Sequence, residues 1–144
     1  MIPAMKKVPK NILIISLFII IGCTDEDTFP NIYVNETIPI TMPQYNNVFN
    51  NIWGYEYISG GLGGIIIVQA INNEFIAYDR ACTNEENTTC VVSGESINDQ
   101  ILSCQNCCNS KFLIIDGSVT EGDAHRALKR YNTYFDGSML YITN

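Results

Sequence analysis

Apolar and polar residues alternate along much of the chain after residue 31, with Gly, Asn, Asp and Pro between the alternating segments. This pattern is typical of short strands, and no long segment has the spacing of a helix. Many short strands at close spacing predict an all-β sandwich or barrel. The segments predicted as strands are residues 32–40, 64–70, 74–80, 111–116 and 138–143.

Two segments depart from the strand pattern. In 43–51, PQYNNVFNN, the apolar residues Tyr45, Val48 and Phe49 have helical spacing, which predicts one short turn of helix before Trp53. The glycine-rich segment 59–64, SGGLGG, lacks the strand, helix and lysine that accompany a phosphate-binding loop. It is therefore predicted to be a hairpin turn.

The N-terminus has the organisation of a bacterial export signal. A basic region, MIPAMKKVPK, precedes the apolar run NILIISLFIII and then Gly22 and Cys23. The run is shorter than the roughly 20 residues that span a membrane comfortably. Ile20-Ile21-Gly22-Cys23 resembles the lipobox at which lipoprotein signal peptides are cut. Residues 1–22 are therefore predicted to be a lipoprotein signal peptide, and Cys23 is predicted to carry the lipid.

The segment behind Cys23 predicts a tether and a location. Residues 23–31 are acidic, polar and rich in turn formers, which favours a flexible linker, and a single domain is predicted from 32 to 144. Acidic residues directly behind a lipidated cysteine also resemble the signal that sends lipoproteins of the Bacteroidetes group to the cell surface. The resemblance implies a lipid-anchored protein of the cell envelope, at the outer membrane and exposed on the surface.

The net charge of the processed chain excludes some classes of binding partner. Three of the eight basic residues precede Cys23, whereas all fifteen acidic residues follow it, so the processed chain has a net charge of −10. This charge repels nucleic acid and anionic headgroups, so no nucleic-acid partner is expected and the membrane is reached through the lipid.

Five of the six cysteines follow Cys23. They lie in two groups, Cys82 and Cys90 in CTNEENTTC, and Cys104, Cys107 and Cys108 in SCQNCCNSKF. Because the number is odd, one thiol must be free, bound to a metal or paired with another molecule. Such a concentration of thiols indicates a metal site, a disulfide or both.

The cysteine groups and their flanking residues resemble a Rieske domain, from about Gly60 to Asn144. The residues that carry the resemblance are Ala77-Tyr78-Asp79, Cys82, Cys104, Ser110, Phe112, Asp116-Gly117, Gly122 with Ala124, and Leu128 with Tyr131. The resemblance implies an antiparallel β-sandwich with a small cysteine-rich subdomain made of two loops. It also implies electron transfer through a 2Fe-2S cluster whose irons are held by two cysteines and two histidines.

This chain lacks both ligand histidines. The first position, two residues after Cys82, is Asn84, and the second falls at Cys107 or Cys108 depending on the alignment. The only histidine, His125, lies in a segment that the family does not use for ligation and is predicted to be a surface loop residue. A histidine-ligated Rieske centre is therefore excluded.

Some Rieske proteins have a disulfide that ties the two loops together, and the resemblance implies that Cys90 and Cys107 form it here. Three arrangements remain open for the other thiols. Cys82, Cys104 and Cys108 can hold a metal with Asn84, a glutamate or water as the fourth ligand. Four of the five cysteines can form an all-cysteine site, as for zinc or a ferredoxin-like cluster. Alternatively, two of them form a second disulfide and one is buried and inert.

Two functions follow from these observations. The first is a lipid-anchored electron-transfer protein with an altered, histidine-free site, and the second is a cluster-free, disulfide-stapled β-domain that serves as a structural or surface-interaction module. The signal contains Lys6 and Lys7 but no arginine pair, which suits secretion in the unfolded state. No catalytic constellation competes, so no enzyme beyond electron transfer is expected. The carboxylates near the first cysteine, Asp79, Glu85 and Glu86, are interpreted as solvated loop groups.

Overall fold

The computed structural model describes residues 29–85, 88–94 and 100–144. The predicted signal peptide, the lipidation site Cys23 and the tether up to residue 28 lie outside the described residues. No helix in the described part of the chain is both long enough and apolar enough to cross a membrane. Ten strands account for most of the regular structure: β1 Asn35–Ile38, β2 Tyr55–Ile58, β3 Ile65–Gln69, β4 Phe75–Asp79, β5 Ser93–Gly94, β6 Ile101–Ser103, β7 Lys111–Leu113, β8 Val119–Glu121, β9 Arg130–Phe135 and β10 Leu140–Thr143.

The strands form two antiparallel sheets. The larger has six strands in the order β1-β10-β9-β4-β3-β2, and the smaller has four in the order β5-β6-β7-β8. Every paired strand in both sheets is antiparallel. The structure therefore confirms the predicted all-β class and the antiparallel sandwich. The smaller sheet is joined to the cysteine loops and forms with them the cysteine-rich subdomain.

Strands β3 and β4 lie in the middle of the larger sheet and are buried on both faces. Ile66 and Val68 face one hydrophobic core, whereas Ile65 and Ile67 face another on the opposite side of the sheet. Two buried faces explain why residues 65–68 form an unbroken apolar run and do not alternate.

The first of these cores lies between the sheets and contains four of the cysteines. Cys82, Cys90, Cys104 and Cys108 pack with side chains of both sheets, among them Tyr78, Leu102 and Phe112. The second core is covered by β1, β10 and the helix α1 (Asn46–Asn50), which contributes Val48. The cysteine site therefore belongs to the interior of the domain, and its geometry depends on the packing of the two sheets.

The local predictions are largely confirmed. The helical turn is present as a 3-10 turn, Pro43–Tyr45, followed by α1. The glycine-rich segment connects β2 to β3, with Gly60, Gly61 and Gly64 at positive φ, as a hairpin turn requires. The strand predicted at 111–116 ends at Leu113, because the chain turns there and the Gly117 N–H donates to the Leu113 carbonyl at 2.8 Å.

Candidate metal and redox site at the cysteine loops

The first cysteine loop is closed by backbone hydrogen bonds at its base. The Cys82 N–H donates to the Cys90 carbonyl at 2.8 Å, and the Val92 N–H donates to the Arg80 carbonyl at 2.7 Å. These bonds continue the pairing beyond the end of β4, so that Cys82 and Cys90 begin and end a narrow loop. Both cysteine side chains are buried, with exposed fractions of 0% and 1%.

The second cysteine loop is closed in a similar way. The Cys104 N–H donates to the Ser110 carbonyl at 2.8 Å, and the Asn109 N–H donates to the Cys104 carbonyl at 3.0 Å. Asn109 has a φ of 50°, a left-handed conformation that asparagine tolerates better than most residues. This turn brings Cys108 back over Cys104 before β7 begins.

A third segment, residues 122–128, holds both loops. The Ala124 N–H donates to Ser110 Oγ at 2.9 Å, and the Thr83 hydroxyl donates to the Arg126 carbonyl at 2.7 Å. The Arg126 guanidinium in turn donates to the Thr83 carbonyl at 3.2 Å. His125 lies between these anchored residues, but its side chain is exposed and belongs to none of the described groups of potential metal ligands.

Two overlapping groups of sulfur atoms result from this arrangement. The Sγ atoms of Cys82, Cys104 and Cys108 all lie within 4.8 Å of one another, and so do those of Cys90, Cys104 and Cys107. The sulfurs of Cys82 and Cys108, which are not bonded to each other, lie 3.0 Å apart. The structure therefore brings together all five cysteines that follow Cys23.

Cys90 and Cys107 form the disulfide that the resemblance implied, with their Cα atoms 5.9 Å apart. It joins the first loop to the second. Cys107 is exposed, whereas Cys90 is buried, so the bond runs from the surface into the core. Cys82, Cys104 and Cys108 remain as thiols, and all three are buried.

The three thiols differ in acidity. Burial raises the pKa of the Cys82 thiol to about 12, and its hydrogen bond to Cys108 adds to the effect. Burial also raises the pKa of Cys104. Burial opposes ionisation of Cys108 too, but hydrogen bonds from Cys82 and Ser110 outweigh it, so the pKa of Cys108 falls below its usual value. Cys108 is therefore the thiol of this group that ionises first.

Ser110 helps to lower the pKa of Cys108 because it lies next to the Cys108 sulfur. Its Oγ lies 3.1 Å from Cys108 Sγ and accepts the Ala124 N–H. As a thiol, Cys108 donates to Ser110 Oγ, and once Cys108 has ionised the serine hydroxyl can donate its proton to the thiolate. A hydrogen bond to the charged form of a group stabilises that form.

Asp79 is a site residue that the sequence analysis interpreted wrongly. Its carboxylate is fully buried and accepts four hydrogen bonds. Three come from backbone N–H groups, those of Leu62 at 2.6 Å, Gly63 at 2.9 Å and Ala81 at 2.8 Å, and the fourth comes from the Tyr131 hydroxyl at 2.7 Å. The carboxylate thus fixes the glycine-rich turn against the residue that precedes Cys82.

The turn can approach Asp79 this closely because residue 61 is glycine. A Cβ atom there would collide with the Asp79 carboxylate and the Tyr131 hydroxyl. The φ of Gly61, +62°, also lies in the left-handed region that glycine adopts most easily. The glycine-rich segment therefore serves the cysteine site indirectly, as the backbone that satisfies Asp79.

Several solved structures are similar to this chain, among them the following two. One is the cyanobacterial plasma membrane Rieske protein PetC3 from Synechocystis PCC 6803, with a TM-score of 0.52, 23% identity, and coverage of 63% of this chain and 87% of that one. This chain has a Rieske-like fold. The other is a chain of the oxygenase and ferredoxin complex of carbazole 1,9a-dioxygenase, with a TM-score of 0.50, 11% identity, and coverage of 81% of this chain but 29% of that one. No protein-family model and no curated protein matches the sequence.

The Rieske-like fold implies a 2Fe-2S cluster, but the residues present do not fit the histidine-ligated form. Such a centre needs two cysteines and two histidines distributed over two irons. The described residues provide three thiols outside the disulfide, and the only histidine of the chain, His125, belongs to none of the described groups of ligand atoms that lie within 4.8 Å of one another. The sulfurs of Cys82, Cys104 and Cys108 also lie close to one another. Tetrahedral thiolate ligation of a single ion, with bonds of roughly 2.3 Å, places sulfurs roughly 3.8 Å apart, which this group can accommodate.

Proposed function

We propose that this chain is a lipid-anchored, extracytoplasmic protein of the electron-transfer type, in which an all-thiolate metal site replaces the histidine-ligated cluster of a Rieske protein. The proposed ligands are Cys82, Cys104 and Cys108. The observation that carries the proposal is the convergence of these three buried thiols, with their sulfurs within 4.8 Å of one another, where the two cysteine loops meet.

The chemistry of the ligands defines the class of metal. Thiolates are soft ligands that select iron, zinc and monovalent copper over hard cations such as magnesium or calcium. Iron and copper change their oxidation state, so thiolate sites that contain them can carry electrons. The fold supports electron transfer only by its similarity to Rieske proteins, because one fold serves many functions. The three buried thiols provide the support that is specific to this chain.

Metal content is the direct test. The full chain, produced in a bacterial envelope and purified without chelators, should contain about one iron, zinc or copper ion per chain. An iron site should also give thiolate-to-iron absorption bands in the visible spectrum. Substitution of Cys82, Cys104 or Cys108 by serine should abolish metal binding, because each removes a ligand.

His125→Ala is the matched control, because it removes the chain's only imidazole and leaves the three thiols in place. Its metal content should equal that of the unsubstituted chain. Loss of metal in His125→Ala would make histidine a ligand and overturn the all-thiolate assignment. A protein that is colourless and free of metal after gentle purification would end the proposal.

The proposed location has a test of its own. The basic, apolar and Gly-Cys sequence at the N-terminus supports cleavage before Cys23 and attachment of lipid to its thiol. The acidic residues behind Cys23 support the proposed position at the outer membrane, facing the exterior. The expected result is a processed chain in the membrane fraction whose intact mass includes the acyl groups. Cys23→Ala should be neither processed nor acylated. A Cys23→Ala chain that reaches the same size and still pellets with membranes would contradict the lipoprotein assignment.

A specific observation also favours the second function, a cluster-free β-domain that acts as a structural or surface-interaction module. The Cys90–Cys107 disulfide already joins the loops, and the sulfurs of Cys82 and Cys108 lie close enough to make another bond. A chain with two disulfides needs no metal to hold its loops. Metal-free protein with both disulfides would establish this function over the first. In either case the proposed partner is a protein outside the cytoplasm, reached from the membrane anchor.

A further inference from the structure

The five sulfurs form a continuous path from the surface to the interior. Cys107 is exposed and is bonded to the buried Cys90. The Sγ of Cys90 lies 3.3 Å from that of Cys104, and Cys104 lies within 4.8 Å of both Cys82 and Cys108. The path ends at the contact of 3.0 Å between the sulfurs of Cys82 and Cys108.

We propose that this path is a thiol–disulfide relay that transfers a disulfide from the surface pair, Cys90–Cys107, to the buried pair, Cys82 and Cys108. Cys104 is the shuttle between them. The external reactant is a disulfide, carried by a small molecule or by a protein, that oxidises the surface pair again. The relay does not depend on a bound metal. It uses the same three thiols as the proposed metal site, so it operates in chains that hold no metal.

Each step of the relay is a thiolate attack on a neighbouring disulfide. The Cys104 thiolate attacks Cys90 Sγ, which forms Cys90–Cys104 and releases Cys107 as the leaving thiolate. The thiolate of Cys82 or Cys108 then attacks Cys104 Sγ and releases Cys90. The remaining member of the buried pair closes the Cys82–Cys108 disulfide and releases Cys104, which returns to its thiol form.

The electrons balance within the chain. Cys82 and Cys108 together lose two electrons and two protons, and Cys90 and Cys107 gain them. Oxidation of the surface pair by an external disulfide then yields two external thiols. After one full cycle the chain contains two disulfides, and Cys104 is the only thiol left among the five.

Burial is the reason that a shuttle is needed. Cys82 and Cys104 have exposed fractions of 0%, and Cys108 has 7%. Exchange between a thiol and a disulfide requires direct contact of the sulfurs, so access controls its rate. The backbone hydrogen bonds at the base of each loop hold the buried pair away from solvent. An external disulfide therefore reaches Cys107 directly, but it oxidises Cys82 and Cys108 much faster through Cys104 than by direct attack.

The test follows the order in which the disulfides form. The full chain is reduced, freed of metal with a chelator and exposed to glutathione disulfide. Samples are quenched by alkylation at intervals, and their disulfides are mapped by digestion and mass spectrometry. We expect Cys90–Cys107 to form first and Cys82–Cys108 to follow. In Cys104→Ser both disulfides should still form, but Cys82–Cys108 should form about tenfold more slowly, because direct attack on the buried pair is hindered.

Two further variants complete the test. His125→Ala is the control, because it changes an exposed side chain beside the loops and leaves all five thiols of the path in place, and it should leave both rates unchanged. The triple variant Cys82→Ser/Cys107→Ser/Cys108→Ser leaves Cys90 and Cys104 as the only cysteines of the path, so the Cys90–Cys104 disulfide has no thiol to resolve it and should accumulate, which shows the bond of the first transfer even if Cys104→Ser folds poorly. Equal rates of Cys82–Cys108 formation in the unsubstituted chain and Cys104→Ser would overturn the relay, as would the absence of Cys90–Cys104 in the triple variant. Since every sample is free of metal, the result is independent of the metal analysis.

Discussion

Replacement of Asp79 by alanine is expected to lower the free energy of unfolding by at least about 3 kcal/mol, because it leaves buried donors without an acceptor. The carboxylate accepts the N–H groups of Leu62, Gly63 and Ala81, as well as the Tyr131 hydroxyl. A buried donor that loses its partner costs about 1–3 kcal/mol. Three backbone donors cannot rotate away to find another acceptor, so the loss is a large part of the roughly 5–15 kcal/mol that stabilise a domain.

Substitutions that remove different parts of the Asp79 hydrogen-bond network separate their contributions to the loss of stability. Asp79→Asn keeps the shape and one acceptor oxygen, so it should cost less than Asp79→Ala. Tyr131→Phe removes one donor and leaves the three backbone bonds intact, and it should cost about 1–2 kcal/mol. Asp136→Ala is the matched control, because Asp136 also accepts two backbone N–H groups, but in an exposed turn between β9 and β10 where water can replace it. Its effect should be small.

Urea unfolding of the four variants under identical redox conditions checks this order. A cost of Asp79→Ala no larger than that of Asp136→Ala would show that water enters the site and satisfies the donors. The same experiment reports on the cysteine loops, because Ala81 directly precedes Cys82. In Asp79→Ala the Cys90–Cys107 disulfide should become more accessible to reductants, as the first loop loses one of its fixed points.

The role of Asp79 illustrates what a single sequence does not contain. The segment FIAYD was predicted to be a strand, and it is one, but the burial of its last residue depends on donors that are distant in sequence. The Leu62 N–H lies 17 residues away and the Tyr131 hydroxyl 52 residues away. An acidic residue at the end of a strand, followed by Arg80, has the local pattern of a solvated loop group. Its four partners appear only after the strands have paired.

Local sequence patterns predicted the secondary structure correctly where a single physical rule determines it. The run at 65–68 is apolar because both faces of β3 are buried, and the segment 60–64 forms a turn because its glycines can adopt positive φ. Strands such as β2, β5 and β6 were missed by the pattern. They are short, and YEYI, SG and ILS contain too few residues to show a period of two.

The grouping of the cysteines came from a different source. Cys82 and Cys108 are 26 residues apart, and no local rule states which distant thiols meet. The resemblance placed both loops at one end of the sandwich and implied the pair Cys90–Cys107, which the structure contains. The resemblance also led to Cys104 being expected near Cys82 and Cys108, but it did not imply that Cys104 contacts Cys90.

Because Cys104 contacts Cys90, removal of Cys90 and removal of Cys107 should lower the free energy of unfolding by different amounts. The Cys90–Cys107 bond spans 17 residues, and closing such a loop stabilises a domain by about 3 kcal/mol in the chain-entropy description. Cys90→Ala should lose this full amount relative to the unsubstituted chain under oxidising conditions, because Cys104 and Cys107 both need Cys90 as their partner in the first loop, whereas a Cys82–Cys108 bond is equally available to every variant. Cys107→Ala should lose only about 1 kcal/mol or less, since Cys90 can pair with Cys104, which lies 3.3 Å away and closes a loop of 14 residues.

Denaturant unfolding with and without a reductant measures both effects. With a reductant the advantage of Cys107→Ala over Cys90→Ala should shrink, because neither chain then has a bond between the loops. The double variant Cys104→Ala/Cys107→Ala removes the substitute partner and should be as unstable as Cys90→Ala in oxidising buffer. Equal stability of Cys90→Ala and Cys107→Ala under oxidising conditions would show that Cys104 does not bond to Cys90, and that the contact between their sulfurs has no covalent consequence.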